Sequence, residues 1–158
     1  MGMAIKIETP IGIFAVEEKN GMVYRVYLPN QVVKMDTLEI TGEPSELLRN
    51  AETQFTEYFS GRRKDFDLPL DFGGCSEFTS CVYKELTRVK YGETASYKDI
   101  AERVGSPKAY RAVGLANNKN PLPIIVPCHR IVGADGSLVG YAGGLEMKRW
   151  LLDLESKL

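Results

Sequence analysis

Histidine and cysteine are scarce in this chain: 158 residues hold one His and three Cys. Cys75, Cys81 and Cys128 are odd in number and form no C-x-x-C pair. A disulfide scaffold is therefore excluded and a zinc site lacks its usual ligands, so a reducing compartment is expected, with no metal and no cofactor. Long apolar runs are missing as well. None approaches the roughly 18 residues of a membrane span. The opening MGMAIKIETP has neither the charged region nor the apolar stretch of a signal peptide. The expectation is a soluble, cytoplasmic protein with no membrane partner. Glycine and proline, at 15 and 8, are ordinary in number, and no stretch is dominated by one or two residue types, which excludes fibrous and disordered classes. The net charge of −1 lacks the global excess typical of a basic nucleic-acid binder.

What is present is a globular composition, 44% hydrophobic and 26% charged, long enough for one compact protein or two small lobes. Charge is unevenly placed. Residues 1–74 hold eight basic and twelve acidic side chains, and residues 75–158 hold twelve basic and nine acidic. Between 97 and 120, Lys98, Arg103, Lys108, Arg111 and Lys119 stand against only Asp99 and Glu102. Such a cluster is commonly just a solvated helical face, and it is also what a local nucleic-acid contact requires.

Period-2 alternation predicts strands at Ala4–Glu8, Ile13–Val16 and Met22–Leu28, with a turn at Thr9–Gly12 and a hairpin turn at Asn20-Gly21. Leu47, Leu48, Ala51, Phe55 and Phe59 at helical spacing predict a helix from about Glu43 to Phe59, stopped by Gly61. Arg62 to Gly74, with Pro69 and the Gly73-Gly74 pair, reads as a linker. The domains expected are thus 1–74 and 75–158. From Ser76, a possible N-cap, Phe78, Val82, Leu86 and Val89 form one helical stripe. Ser96 can cap a helix Tyr97–Val104 ending at Gly105, and Ser106 a second one opened by Pro107 and running Lys108–Ala116. Helix, glycine turn and helix form a helix-turn-helix pattern. The second helix is rich in small residues, which permits close approach to another surface and suits internal packing equally well. A last helix spans Gly144 to Leu158, with Met147, Trp150, Leu151, Leu154 and Leu158 as its core stripe. The fold class expected is α+β: a small N-terminal α/β lobe, mostly antiparallel sheet plus helix, then a mainly helical, winged-helix-like lobe.

The chemistry-bearing run is Pro121-Leu122-Pro123-Ile124-Ile125-Val126-Pro127-Cys128-His129-Arg130-Ile131-Val132-Gly133. A cysteine beside a histidine and an arginine, at the edge of a proline-bracketed apolar strand, sits where a thiolate is stabilised and is a candidate nucleophile. A buried structural cysteine is the plainer reading of a bare Cys-His pair. Adjacent side chains of extended chain point to opposite faces, so His129 would need a bridging water to reach Cys128.

Pro127-Cys128-His129-Arg130, with Asn120-Pro121-Leu122-Pro123 before it and Gly140-Tyr141-Ala142-Gly143-Gly144-Leu145 after it, resembles the signature of the O6-alkylguanine-DNA alkyltransferases. Tyr91-Gly92-Glu93-Thr94, Ser96-Tyr97 and Arg111-Ala112-Val113-Gly114 extend the likeness, which is dense from about Tyr58 to Glu155 and loose before it. The resemblance implies irreversible, single-turnover transfer of an alkyl group from O6 of guanine, and more weakly from O4 of thymine, in flipped-out DNA to Cys128. It implies that His129 lowers the thiol pKa through a water, that Glu155 orients and charges the imidazole, that Asn120 ties the two halves of the site, and that Tyr97 steers the phosphate and protonates the leaving guanine. It implies a helix in the minor groove, with Lys108, Ala109, Ala112, Gly114 and Ala116 on it and Arg111 as the finger filling the vacated stack. Pro123, Tyr141, Ala142 and Gly143 would wall the substrate pocket. The partner implied is double-stranded DNA containing O6-alkylguanine, bound by a monomer.

Tyr83 departs from the family pattern, which commonly has tryptophan there, and the N-terminal zinc ligands of some relatives have no counterpart before Cys75. Three other readings compete. A non-catalytic lesion binder would lack Cys128. A cysteine hydrolase would need a directly contacting base and an oxyanion hole, which the spacing does not indicate. A helix-turn-helix regulator would not require the Pro-Cys-His-Arg run.

Overall fold

A computed structural model describes residues 3–32 and 43–157, which form an α+β protein dividing into two compact units, Met1–Gly73 and Gly74–Leu158. In the first unit, β1 (Met3–Thr9), β2 (Gly12–Lys19) and β3 (Met22–Tyr27) make an antiparallel sheet in sequence order. The register pairs Ile5 with Val16, Ile7 with Phe14, and Val16 with Val26, so alternate apolar residues share the buried face. Asn20 and Gly21 both take positive φ, at 54° and 76°, as the tightest hairpin turn demands and as asparagine and glycine tolerate best. After the short α1 (Pro29–Val32), helix α2 (Glu46–Phe59) begins three residues later than Glu43 and is capped by Ser45, whose hydroxyl accepts from Leu48 N. It packs on β1 and β2 through Leu48, Ala51, Phe55 and Phe59. Phe14, Phe55, Tyr58, Phe59 and Phe66 cluster with ring centroids 5.2 to 6.3 Å apart, each buried ring contributing on the order of 1.5–3 kcal/mol.

The segment read as a linker is not a free strap. Val23 N donates to Pro69 O at 2.8 Å and Asp71 N to Val23 O at 2.9 Å, adding Leu70 to the edge of β3. The buried Gln54 holds it again, with Asp67 N donating to Oε1 at 2.8 Å and Nε2 to Asp67 O at 3.0 Å. Backbone groups without periodic side chains are invisible to a pattern search, and they carry this attachment.

The second unit opens with α3 (Glu77–Thr87), capped by Ser76 accepting from Thr79 N. Its Tyr83 is 2% exposed and spends its hydroxyl on Ala116 O at 3.2 Å, a packing role. The strand pair β4 (Ala95–Ser96) and β5 (Ile131–Val132) is parallel, and Ser96 with Asp99 forms a complete capping box for α4 (Tyr97–Arg103). Helix α5 (Tyr110–Asn118) packs on α4 and α3.

Three expectations are corrected in this unit. Helix α5 starts at Tyr110 and not at Pro107, because Ala109 N donates to Ser106 O at 2.8 Å and closes Ser106–Ala109 as a turn with proline at its second position. The run around Cys128 is not an extended strand; it is a folded loop ending in a 3-10 turn, Cys128–Arg130. Pro127, at φ −79° and ψ 65°, makes an inverse γ-turn that lets Cys128 N reach Val126 O at 2.8 Å. Helix α6 (Leu145–Ser156) buries Lys148, Leu151 and Glu155 in place of the stripe through Met147, Trp150 and Leu154, which are only half-buried. Leu158 lies outside the described residues.

Candidate active site

Short-range geometry brings the site residues of the second unit together. Ala95 pairs with Ile131 and Ser96 with Val132, so the parallel pair sets the first residue of α4, Tyr97, beside the end of the 3-10 turn that carries Cys128. Asn120 ties the preceding loop from both ends: Nδ2 donates to Val126 O at 2.8 Å, and Oδ1 accepts from Leu122 N at 3.0 Å. Within that loop Ile124, buried to 1%, has φ 75°, a conformation that costs a β-branched residue about 1–3 kcal/mol and is held by its surroundings.

Behind the cysteine runs a buried ionic chain. His129 Nε2 lies 2.6 Å from Glu155 Oε2. Arg130 grips the same carboxylate with two donors, Nε to Oε1 at 2.8 Å and Nη2 to Oε2 at 3.0 Å, and its Nη1 donates to Val89 O at 2.7 Å. His129 and Glu155 are 0% and 1% exposed. Burial pushes the Glu155 carboxyl up, but the hydrogen bonds from His129 and Arg130 outweigh it and hold the pKa at about 2. Burial lowers the His129 pKa despite the carboxylate, so the imidazole is neutral. With Nε2 donating to an ionised carboxylate, the lone pair falls on Nδ1.

Cys128 itself is 3% exposed. Burial pushes its thiol up to about 11, against the Asn120 hydrogen bond and the charge of Lys148, which favour the anion. The thiolate expected from the Cys-His-Arg run is therefore not the resting form; desolvation outweighs its neighbours. Lys148 is wholly buried, donates from Nζ to Val139 O at 2.9 Å and Gly140 O at 3.2 Å, and is brought down to about 8 by burial. Its ammonium lies 6.0 Å from the Tyr97 ring centre. Tyr97 donates to Val139 O at 2.9 Å, and burial together with the nearby thiol raises its phenol. Tyr141 has a buried hydroxyl with no hydrogen-bond partner and is raised well above its ordinary value by burial, Cys128 and Glu155. Sulfur, ammonium and two phenols thus form one cluster.

The remaining expected residues divide. Pro123 is buried. A Cβ at Gly143 would sit 2.6 Å from Met147 Sδ and 2.9 Å from the Tyr141 ring, so those side chains would have to shift to admit one. Ala142 is exposed. On and before α5, Lys108, Arg111 and Ala112 are exposed and Ala109 half so, as an outward face requires. Gly114 is half-buried over the Tyr97 ring, 3.7 Å from where its Cβ would stand, and Ala116 is 6% exposed, so neither belongs to the outermost face. Lys148 carries charge into the site without having been assigned a role from sequence, and Arg130, read there as a neighbour favouring a thiolate, pairs with Glu155. The signal was present for Lys148, which precedes Glu155 by seven residues and so shares its helical face.

These features define a cysteine-centred site, in which a buried thiol is backed by an imidazole, a carboxylate and a guanidinium. Residues 77–157 match the family model described as 6-O-methylguanine DNA methyltransferase, DNA binding domain, and residues 4–72 the model described as 6-O-methylguanine DNA methyltransferase, ribonuclease-like domain. The chain belongs to the 6-O-methylguanine DNA methyltransferase family. It is 45% identical over 153 residues to a methylated-DNA--protein-cysteine methyltransferase of Methanosarcina barkeri, covering 94% of each chain. It is also 45% identical to the constitutive enzyme of that name from Bacillus subtilis, covering 94% of this chain and 92% of the relative. Among solved structures, Mycobacterium tuberculosis OGT in complex with DNA superposes with a TM-score of 0.85 at 40% identity, covering 98% of this chain and 92% of that one. Cys75 and Cys81 are free thiols, and among the described residues no helix is long and apolar enough to cross a membrane.

Proposed function

We propose that this protein repairs DNA by direct reversal, moving an alkyl group from O6 of guanine, and more weakly from O4 of thymine, onto Cys128 in a single turnover. The observation that carries this reading is the Cys128 turn backed by the His129–Glu155–Arg130 chain. Because the resting sulfur is protonated, attack must be accompanied by loss of that proton. Neutral His129 is the base for it through Nδ1, and the imidazolium so formed is stabilised by the ionised Glu155. The sulfur forms a bond to the alkyl carbon as the carbon–O6 bond breaks. The electron pair leaves with guanine, which takes a proton from Tyr97. A thioether remains, and no thiol in the motif can displace it.

A sulfur that is 3% exposed cannot reach an atom inside a stacked duplex, so the base must leave the stack, at a cost of a few kcal/mol. Exposed Arg111 on α5 is suited to fill the gap, with Lys108 and Lys119 on the phosphates. Incubation with duplex carrying O6-methylguanine tests the reading. Intact-mass and peptide spectra should show one added methyl on the Cys128 peptide, and none for Cys128→Ser. Repeated turnover, or label on Cys75 or Cys81, would refute it.

A further inference from the structure

Asn117 lies in the last turn of α5 and is 2% exposed. Its Nδ2 donates to the main-chain carbonyl of Cys128 at 3.3 Å, while its Oδ1 is buried with no hydrogen-bond partner. The same amide stands beside the Tyr97 phenol and offsets part of the rise that burial and the thiol impose there. The fold does not depend on this amide. The Cys128 carbonyl already accepts from Ile131 N, which closes the 3-10 turn, and α5 is anchored by Val113, Ala116 and the Tyr83 hydrogen bond to Ala116 O. Leucine has the branching and the number of side-chain heavy atoms of asparagine, is bulkier by its two methyl groups, and would leave no buried acceptor unpaired. A buried amide whose oxygen goes unpaired breaks the rule that buried polar groups are satisfied, and such a breach points to a use in the reaction.

We propose that Asn117 is a positioning residue for alkyl transfer, tying helix α5 to the carbonyl of the acceptor cysteine and to the Tyr97 side chain. The attacking sulfur and the proton-donating phenol are thereby held in one arrangement. This inference rests on the function proposed above and adds a residue to it. Position matters steeply here, because small displacements of reacting groups cost one to two orders of magnitude in rate.

The test is Asn117→Leu, followed by thermal unfolding, by single-turnover reaction with free O6-benzylguanine across a range of concentrations, and by duplex binding. Expected are a cooperative transition with the variant fully folded at the assay temperature, a saturating rate lower by about tenfold or more, a half-saturating concentration within about twofold, and unchanged duplex affinity. A variant reacting at the wild-type rate would overturn the proposal. So would a rate loss that matches a fall in the folded fraction, since Asn117 would then be structural only. Should wild type itself take no alkyl group, the function proposed above would fail instead, which keeps the two failures apart.

Discussion

At the residue scale the chemistry turns on a thiol that burial keeps protonated. Its pKa of about 11 means that reaction with free O6-benzylguanine should accelerate as pH rises above neutral, because the thiolate fraction grows. Lys148, near 8, opposes that trend where it loses its charge. Lys148→Met should therefore push the thiol higher still and slow transfer at pH 7 by about tenfold, one pKa unit of lost stabilisation. Thiol titration by absorbance of the thiolate checks it, and an unchanged titration would remove Lys148 from the site. His129→Ala and Glu155→Gln should each cost about 10²-fold or more as general-base losses, and the double variant little beyond either single one, since the two act as a unit. Additive losses would mean that they act separately. Sequence made Cys128, His129 and Glu155 legible because the motif is dense around them. It hid Arg130 and Lys148 in part because charged residues are almost never fully buried unless paired; their partners, the Glu155 carboxylate and the 139 and 140 carbonyls, are fixed only by the folded loop.

At the scale of elements, what could be read ahead was what side-chain periodicity and caps encode. Ser76 and Ser96 cap their helices as read, and Asn20-Gly21 turns its hairpin. What could not be read was set by backbone pairing or competing turns. The Ser106-Pro107 start failed because proline serves the second position of a turn as well as the first of a helix. The strand through Cys128 failed because apolar, proline-bracketed sequence fits a buried γ-turn as readily as a strand. Two outcomes follow from these elements. Ser96→Ala removes one half of the capping box at the helix that presents Tyr97, and should cost about 1 kcal/mol, measured by denaturant unfolding; no change would mean that the box does not hold α4. Arg111→Ala on the exposed face of α5 should slow repair of duplex DNA while leaving reaction with free O6-benzylguanine near the wild-type rate, because only the duplex has a stack to fill. Equal losses on both substrates would rule out a finger role.

At the scale of the whole molecule, the buried titratable groups make stability a function of pH whose sign can be worked out. Glu155 has a folded pKa of about 2, below its ordinary 4.5, so its contribution is complete above 4.5 and lost as pH falls toward 2. His129 is likewise held below 6.5, so the unfolded chain binds that proton first and the loss begins as pH drops under 6.5. Lys148, at about 8 against 10.5, adds the opposite limb. Above pH 8 the unfolded chain carries a proton that the folded one has shed, and stability climbs. The climb is cancelled from about pH 9, where the unfolded Cys128 thiol ionises while the folded one, at about 11, does not, and it turns into a fall near pH 10, where unfolded tyrosines ionise while Tyr27 and Tyr83, raised to about 12, do not. Thermal midpoints should thus fall from pH 6.5 downward, more steeply below 4.5, and rise between 8 and 9. Lys148→Met should flatten the alkaline rise and leave the acid limb in place, whereas Glu155→Gln should flatten the steep acid part. Comparing the shapes of the curves, not their heights, separates these effects from the cost of leaving Arg130 without its carboxylate, on the order of 3–5 kcal/mol. An alkaline rise of the same size in Lys148→Met would mean that the buried ammonium is not the group that titrates there.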